Sequence, residues 1–452
     1  MLRPGPIVIG GLALLGAACS TSPSGSLQLV TGLETDTFTL APRPVTLEID
    51  AVDSSGKSTR LASSTLPASS IDLGQQNEST AASIQAIGFD EGHNRVVFGS
   101  SLPFLLGALD GITVPVFVQR VGAFARLPGP LGDARTQPVL ANVQGQFLFI
   151  SGGSTASVAT SFQLYDFLGL SPVTPTPTLP FAPSSVAFVG LAAWLFKSDG
   201  TAQYLDLSSS STPPALPSLS GGSFADIAGG ATIIGDGGIQ YIVGATRSTG
   251  APTAAILEID PSDTSDTNYQ FAGRPKWLSL SSPRLGASAT WVEGRGLVVA
   301  SGSATAPGVE VLAPGAAVAA PLAYPPDDTV WGGSAALSGQ SVVLAGGLSA
   351  QSGAAGARTI DLACASACAP HGWQASLPMP LLDAQVFALS ATEALVVGST
   401  FFAGTTHVYR VTATSVSEVS TKVPHAGARA IVTPTGSIGI VGGSDQIETF
   451  VL

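Results

Sequence analysis

From Ser151 onward the hydrophobic pattern repeats seven times. An apolar run usually ends on glycine or a small residue, a polar loop follows, and an alternating strand then tends to close on Asp. The run ends fall at Gly152, Lys197, Gly244, Ser301, Gly346, Gly398 and Gly442, a spacing of about 48 residues. A period near 50 predicts four-stranded β-propeller blades, because one such unit cannot bury its apolar faces until neighbours stack on it. The runs 147–150, 193–196, 240–243, 297–300, 342–345, 394–397 and 438–441 read as second strands. They are continuously apolar because neighbouring blades cover both of their faces. Third strands follow each of them, and the seventh repeat supplies only three strands, so its open edge needs a partner. Residues 122–127, just ahead of the first repeat, are the expected donor that closes the ring.

Ahead of the repeats the period changes to strict alternation. Residues 26–33, 37–40, 45–52, 71–73, 82–89, 96–98 and 114–121 read as short strands, divided by turns such as 53–56 and 90–93. That count without a helical stretch predicts an immunoglobulin-like β-sandwich over 26–122, followed by a seven-bladed propeller over 123–452, an all-β chain.

The first 25 residues carry an address. The apolar run 7–18 is about 12 residues long where a bilayer span needs about 20, so 1–18 reads as an export signal. Leu15-Gly16-Ala17-Ala18-Cys19 resembles a bacterial lipobox, departing from it at Gly16, where that family usually has Leu. The resemblance implies that Cys19 carries a diacylglycerol anchor, with 19–25 as tether, and that the protein sits in the bacterial envelope, with Ser20 directing it to the outer membrane. Ordinary signal cleavage near Ala18, with an incidental cysteine, is the alternative.

Net charge of -12 removes one class of partner, since the few Lys (57, 197, 276, 422) are scattered and nothing here releases counterions from a phosphate backbone. Nucleic acid is therefore not an expected ligand. Of three cysteines, lipidation of one leaves an even pair, Cys364 and Cys368, expected as a disulfide in an oxidising compartment. A metal site with His371 as third ligand is the alternative, but zinc normally takes four ligands and the chain holds only four His.

Recognisable catalytic signatures (Gly-x-Ser-x-Gly, His-Glu-x-x-His, Gly-x-Gly-x-x-Gly) are missing from the sequence, and no cofactor is expected. Gly56-Lys57-Ser58 imitates the end of a phosphate loop, but Ala51 stands where its first glycine belongs, so it reads as a hairpin turn. Asp260, Asp263 and Asp266 have the close spacing of a Ca²⁺ loop but lack its glycine and terminal Glu, so a solvated loop is expected.

The double glycines 152–153, 346–347 and 442–443, with Trp277 ahead of Pro283-Arg284 and Trp373 ahead of Pro378-Met379-Pro380, resemble the kelch repeat over about 330 residues. The second, third and sixth repeats depart from it. Some kelch-type propellers are enzymes. The copper oxidases need two His and a Tyr cross-linked to a Cys, and pairing of Cys364 with Cys368 leaves no Cys for that cross-link, whereas mutarotases ask only for carboxylates and Arg in the channel. Arg135, Arg284 and Arg429, each ahead of a first strand, stand where kelch Arg residues line the channel and could hold an anionic or sugar ligand. Alternatively, each ties one blade to the next through backbone carbonyls. The leading reading is a monomeric, lipid-anchored extracytoplasmic binding protein that presents its propeller to a protein or glycan. A mutarotase-like enzyme and a structural envelope lipoprotein are the alternatives.

Overall fold

The computed structural model describes residues 26–452 except 68–70, 72, 74–78, 80, 110–112, 154–159, 174–177, 209–213, 248–249, 264–270, 351–352, 355 and 374–375. Cys19 and the leader lie outside the described residues, as do residue 72 of the expected strand 71–73 and Asp266.

The N-terminal region is a sheet built from β1 (Ser26–Val30), β2 (Thr46–Asp53), β3 (Ser58–Thr65), β4 (Ala81–Phe89), β5 (Arg95–Ser100), β6 (Phe104–Leu105) and β7 (Thr113–Arg120). Hydrogen bonding links them in one path, β1-β7-β5-β4-β2-β3, with β6 attached to β4. The two-sheet sandwich expected from strand count is not shown by this pairing. Alternation sets the core: Leu47, Ile49 and Ala51 of β2, Ile84 and Ala86 of β4, and Val114, Val116 and Val118 of β7 are buried together. Residues 37–40, expected as a strand, form a turn in which Thr39 and Leu40 donate to the Asp36 carbonyl. β3 was not expected, because Ser-Thr-Arg-Leu-Ala-Ser-Ser-Thr has no clear alternation; it is held by its ladder to β2.

The rest of the chain is a seven-bladed β-propeller. The first strands are Val139–Val143, Ser185–Val189, Ala231–Ile234, Ser288–Val292, Gly333–Ser338, Leu382–Ser390 and Arg429–Val432. Each pairs antiparallel with one of the apolar second strands. The strands of neighbouring blades bury one another: Phe149, Phe162 and Phe188 form the core between blades 1 and 2, and Val343, Val396 and Tyr409 that between blades 5 and 6.

The ring closes as expected. β8 (Phe124–Arg126) pairs with Glu448–Phe450 as the fourth strand of blade 7, and the Phe124 and Phe450 rings lie 5.3 Å apart. Because β8 follows β7 after a short turn, the N-terminal sheet packs beside this seam. Arg126 Nε donates to Glu34 Oε1 at 2.8 Å, and the Gln119 and Thr449 side chains meet at 2.7 Å.

Candidate functional site

Strand register identifies equivalent positions around the ring. In six blades the first residue of the inner ladder faces the residue just before the run end: Val139 with Ser151, Ser185 with Phe196, Ala231 with Val243, Ser288 with Ala300, Gly333 with Ala345 and Arg429 with Val441; in blade 6 the ladder opens at Leu382 with Ser399, and the equivalent pair, Gln385 with Val397, follows a bulge. Two residues earlier stand Gln137, Pro183, Gly229, Gly286, Trp331, Asp383 and Gly427. All except Pro183 have left-handed backbone, with φ between 50° and 82°. Glycine adopts this conformation freely, whereas a residue with a Cβ gives up on the order of 1 kcal/mol or more. Gln137, Trp331 and Asp383 hold it at φ 55°, 62° and 51°.

Two residues earlier again stand Arg135, Arg284 and His425, in blades 1, 4 and 7. Arg135 donates to the Gly152 carbonyl at 3.0 Å and to Asp133 at 2.8 Å. Arg284 donates to the Ser301 carbonyl at 2.7 Å and to Glu310 at 2.8 Å. His425 Nδ1 lies 2.6 Å from the Gly442 carbonyl, and its Nε2 lies 3.3 Å from Glu448. In each case a nitrogen-bearing side chain pins the carbonyl at the end of its blade's second strand. Arg135 and Arg284 are buried and do not line the channel. Both hold the end of a second strand in place. Arg429 is not their counterpart: it begins the first strand itself, four residues after His425, and it does face the channel.

The first strands enclose a central cavity of about 570 Å³. At the end where they begin, its wall includes Gln137, Ser185, Ser288, Trp331, Asp383 and Arg429; further in it is lined by Leu140, Ile233, Phe387 and Ile431. Asp383 and Arg429 are the only charged residues among the described lining. Asp383 Oδ2 accepts from Arg429 Nη2 at 3.0 Å and from Gln137 Nε2 at 3.4 Å. Burial raises the Asp383 carboxyl above its ordinary value, and Arg429 brings it only part of the way back. Trp331 sits beside this pair, its carbonyl accepting from the Ala384 amide at 3.1 Å, and its ring meets Phe402 edge-on at 5.0 Å. Its Nε1 and the neighbouring Ser334 Oγ are buried without a hydrogen-bond partner. Gly286 makes room for it, since a Cβ there would come within 2.9 Å of the indole.

The mouth is therefore one-sided. Trp331, Asp383, Arg429 and Gln137 form an arc across blades 5, 6, 7 and 1, while the opposite arc carries Pro183, Gly229 and Gly286 at the same position and contributes only small hydroxyls such as Ser185 and Ser288.

The other candidates lie away from this mouth. Cys364 and Cys368 are bonded to each other with Cα atoms 5.8 Å apart, in the loop between the third and fourth strands of blade 5, where Cys368 packs under Tyr324 and Ile360. Asp260 Oδ1 accepts from the Ser262 amide and hydroxyl at 2.8 and 2.7 Å, a local turn. Among the described residues no group of His, Cys, Asp and Glu could hold a metal ion.

No family model and no curated protein matches the chain. Several solved structures are similar to it at low identity. YCF48 from Cyanidioschyzon merolae is 12% identical with a TM-score of 0.44, over 73% of this chain and 99% of that one. The Neurospora crassa Pan2 WD40 domain is 14% identical with a TM-score of 0.44, over 72% and 94%. YCF48 bound to D1 peptide is 13% identical with a TM-score of 0.43, over 73% and 94%.

Proposed function

We propose that this chain is a lipid-anchored extracytoplasmic binding protein whose propeller engages a protein or glycan at the channel mouth formed by Trp331, Asp383, Arg429 and Gln137. One observation carries the reading. Three side-chain-bearing residues hold a left-handed backbone at positions where the same ring elsewhere uses glycine, and strain that converges on a cavity mouth is retained where it positions side chains for use. The kelch resemblance and the lipobox-like ending at Cys19 support the same reading. A single acid–base pair in the described lining favours holding a ligand over the carboxylate cluster that a mutarotase would ask for, and the polar, open mouth argues against a purely structural role.

The test has two parts. Metabolic lipid labelling should mark the wild-type chain and not Cys19→Ala. Screening the full chain on glycan and peptide arrays should give ligands that Asp383→Asn and Arg429→Met both lose. Ligands retained by both variants would place binding elsewhere.

A further inference from the structure

The mouth residues also define the chemistry of the ligand, and this inference rests on the reading above. We infer that the site takes a neutral saccharide, a sugar end presenting two adjacent hydroxyl groups and one apolar ring face.

Three features lead there. The first is unused hydrogen-bonding capacity in a fixed pair. Arg429 spends an Nη2 donor on Asp383, leaving Nε and Nη1 for a ligand, and Asp383 accepts through Oδ2, leaving Oδ1. An acceptor and a planar donor held side by side match a vicinal diol, in which one hydroxyl donates to the carboxylate while its neighbour accepts from the guanidinium.

The second is charge. Asp383 and Arg429 cancel, and no other charged residue is in the described lining. An anionic ligand reaching Arg429 would meet the Asp383 carboxylate, and a cationic one the guanidinium, so either would be desolvated beside a like charge. A polyhydroxylated neutral molecule meets neither penalty.

The third is the apolar flank. Trp331 lines the cavity near the ion pair, with Phe402 packed edge-on against its ring, and an indole of this kind covers the C–H face of a pyranose. A cavity of about 570 Å³ falls in the range of small-ligand sites, and its charged pair and Trp331 come from one arc of the mouth, which suits a chain end rather than a ligand filling the ring.

Calorimetric titration of the full chain with lactose, maltotriose and chitotriose, against sialyllactose and a heparin disaccharide, tests the inference. A neutral sugar should bind, the acidic sugars should bind about tenfold more weakly or not at all, and Asp383→Asn and Arg429→Met should each weaken the neutral sugar at least about tenfold. Thermal unfolding of each variant checks the fold, and Gln137→Gly, which removes a weak contact and a strained backbone, supplies a folded variant expected to bind a few-fold more weakly. Preference for an acidic sugar, or neutral-sugar binding indifferent to all three substitutions, overturns the inference. Silent sugars beside a peptide ligand lost in Asp383→Asn overturn it while leaving the channel-mouth reading intact. Silence of sugars and peptides alike overturns both.

Discussion

Asp383 Oδ2 lies 3.0 Å from Arg429 Nη2 across the join between blades 6 and 7, and burial nevertheless holds the Asp383 carboxyl above its ordinary value. An acid whose folded pKa exceeds its unfolded one binds its proton more tightly in the fold, so its contribution to stability grows as pH falls through the folded value and is lost as pH rises. Thermal unfolding of wild type and Asp383→Asn over a pH series should show the Asn variant gaining most relative to wild type near neutrality, with the difference shrinking on acidification. A difference that widens on acidification would mean that the ion pair outweighs burial.

Arg284 and Glu310 are both fully buried. Arg284→Ala leaves the Glu310 carboxylate without its cation and removes the donors to the Ser301 and Pro307 carbonyls, so the expected loss is about 3–5 kcal/mol in denaturant unfolding. A loss below about 1 kcal/mol, the scale of an exposed pair, would contradict this account. Any ligand binding lost in that variant would report damage to the fold.

Phe450 is 1% exposed and packs on Phe124 at the ring seam. Phe450→Ala should cost about 3–5 kcal/mol, and removal of 443–452 should unfold the whole propeller. Unchanged melting of the truncated chain would refute closure by β8.

Gln137→Gly relieves a left-handed residue while adding freedom to the unfolded chain, two opposed effects of about 1 kcal/mol each. Stability should change by less than about 1 kcal/mol while ligand binding weakens. A large drop in melting temperature would show that Gln137 is structural.

The Cys364–Cys368 bond closes a five-residue loop, which by chain entropy contributes about 2 kcal/mol. Cys364→Ser with Cys368→Ser should lower the melting temperature, and reducing agent should lower that of wild type but not of the double variant.

The blade count, the apolar second strands and the strand that closes the ring were legible in the sequence, because burial on both faces writes itself as continuous apolar runs at a fixed period. The mouth was only partly legible. Arg429 could be singled out as a scarce charge ahead of a first strand, but nothing in composition separates it from Arg135 and Arg284, which face the blade interior. Only the register, which pairs Arg429 with Val441 and sets His425 in the place of Arg135, tells them apart. Gln137, Trp331 and Asp383 escaped notice because a positive φ on a residue other than glycine leaves no trace in residue type. The signal that could have found them is their alignment with Gly229, Gly286 and Gly427 at one position of the repeat.

β8 gives the seam one further property. The strand that completes the seventh blade continues directly from the N-terminal sheet, so tension applied to that sheet reaches the propeller along β8, where its ladder to Glu448–Phe450 is loaded side by side and its hydrogen bonds share the pull. Glu34 on Arg126 and Gln119 on Thr449 spread that tension over both partners of the seam. A pull on the sheet thus bears first on the closure of the ring, and the wheel resists being drawn open at the point where its chain enters it.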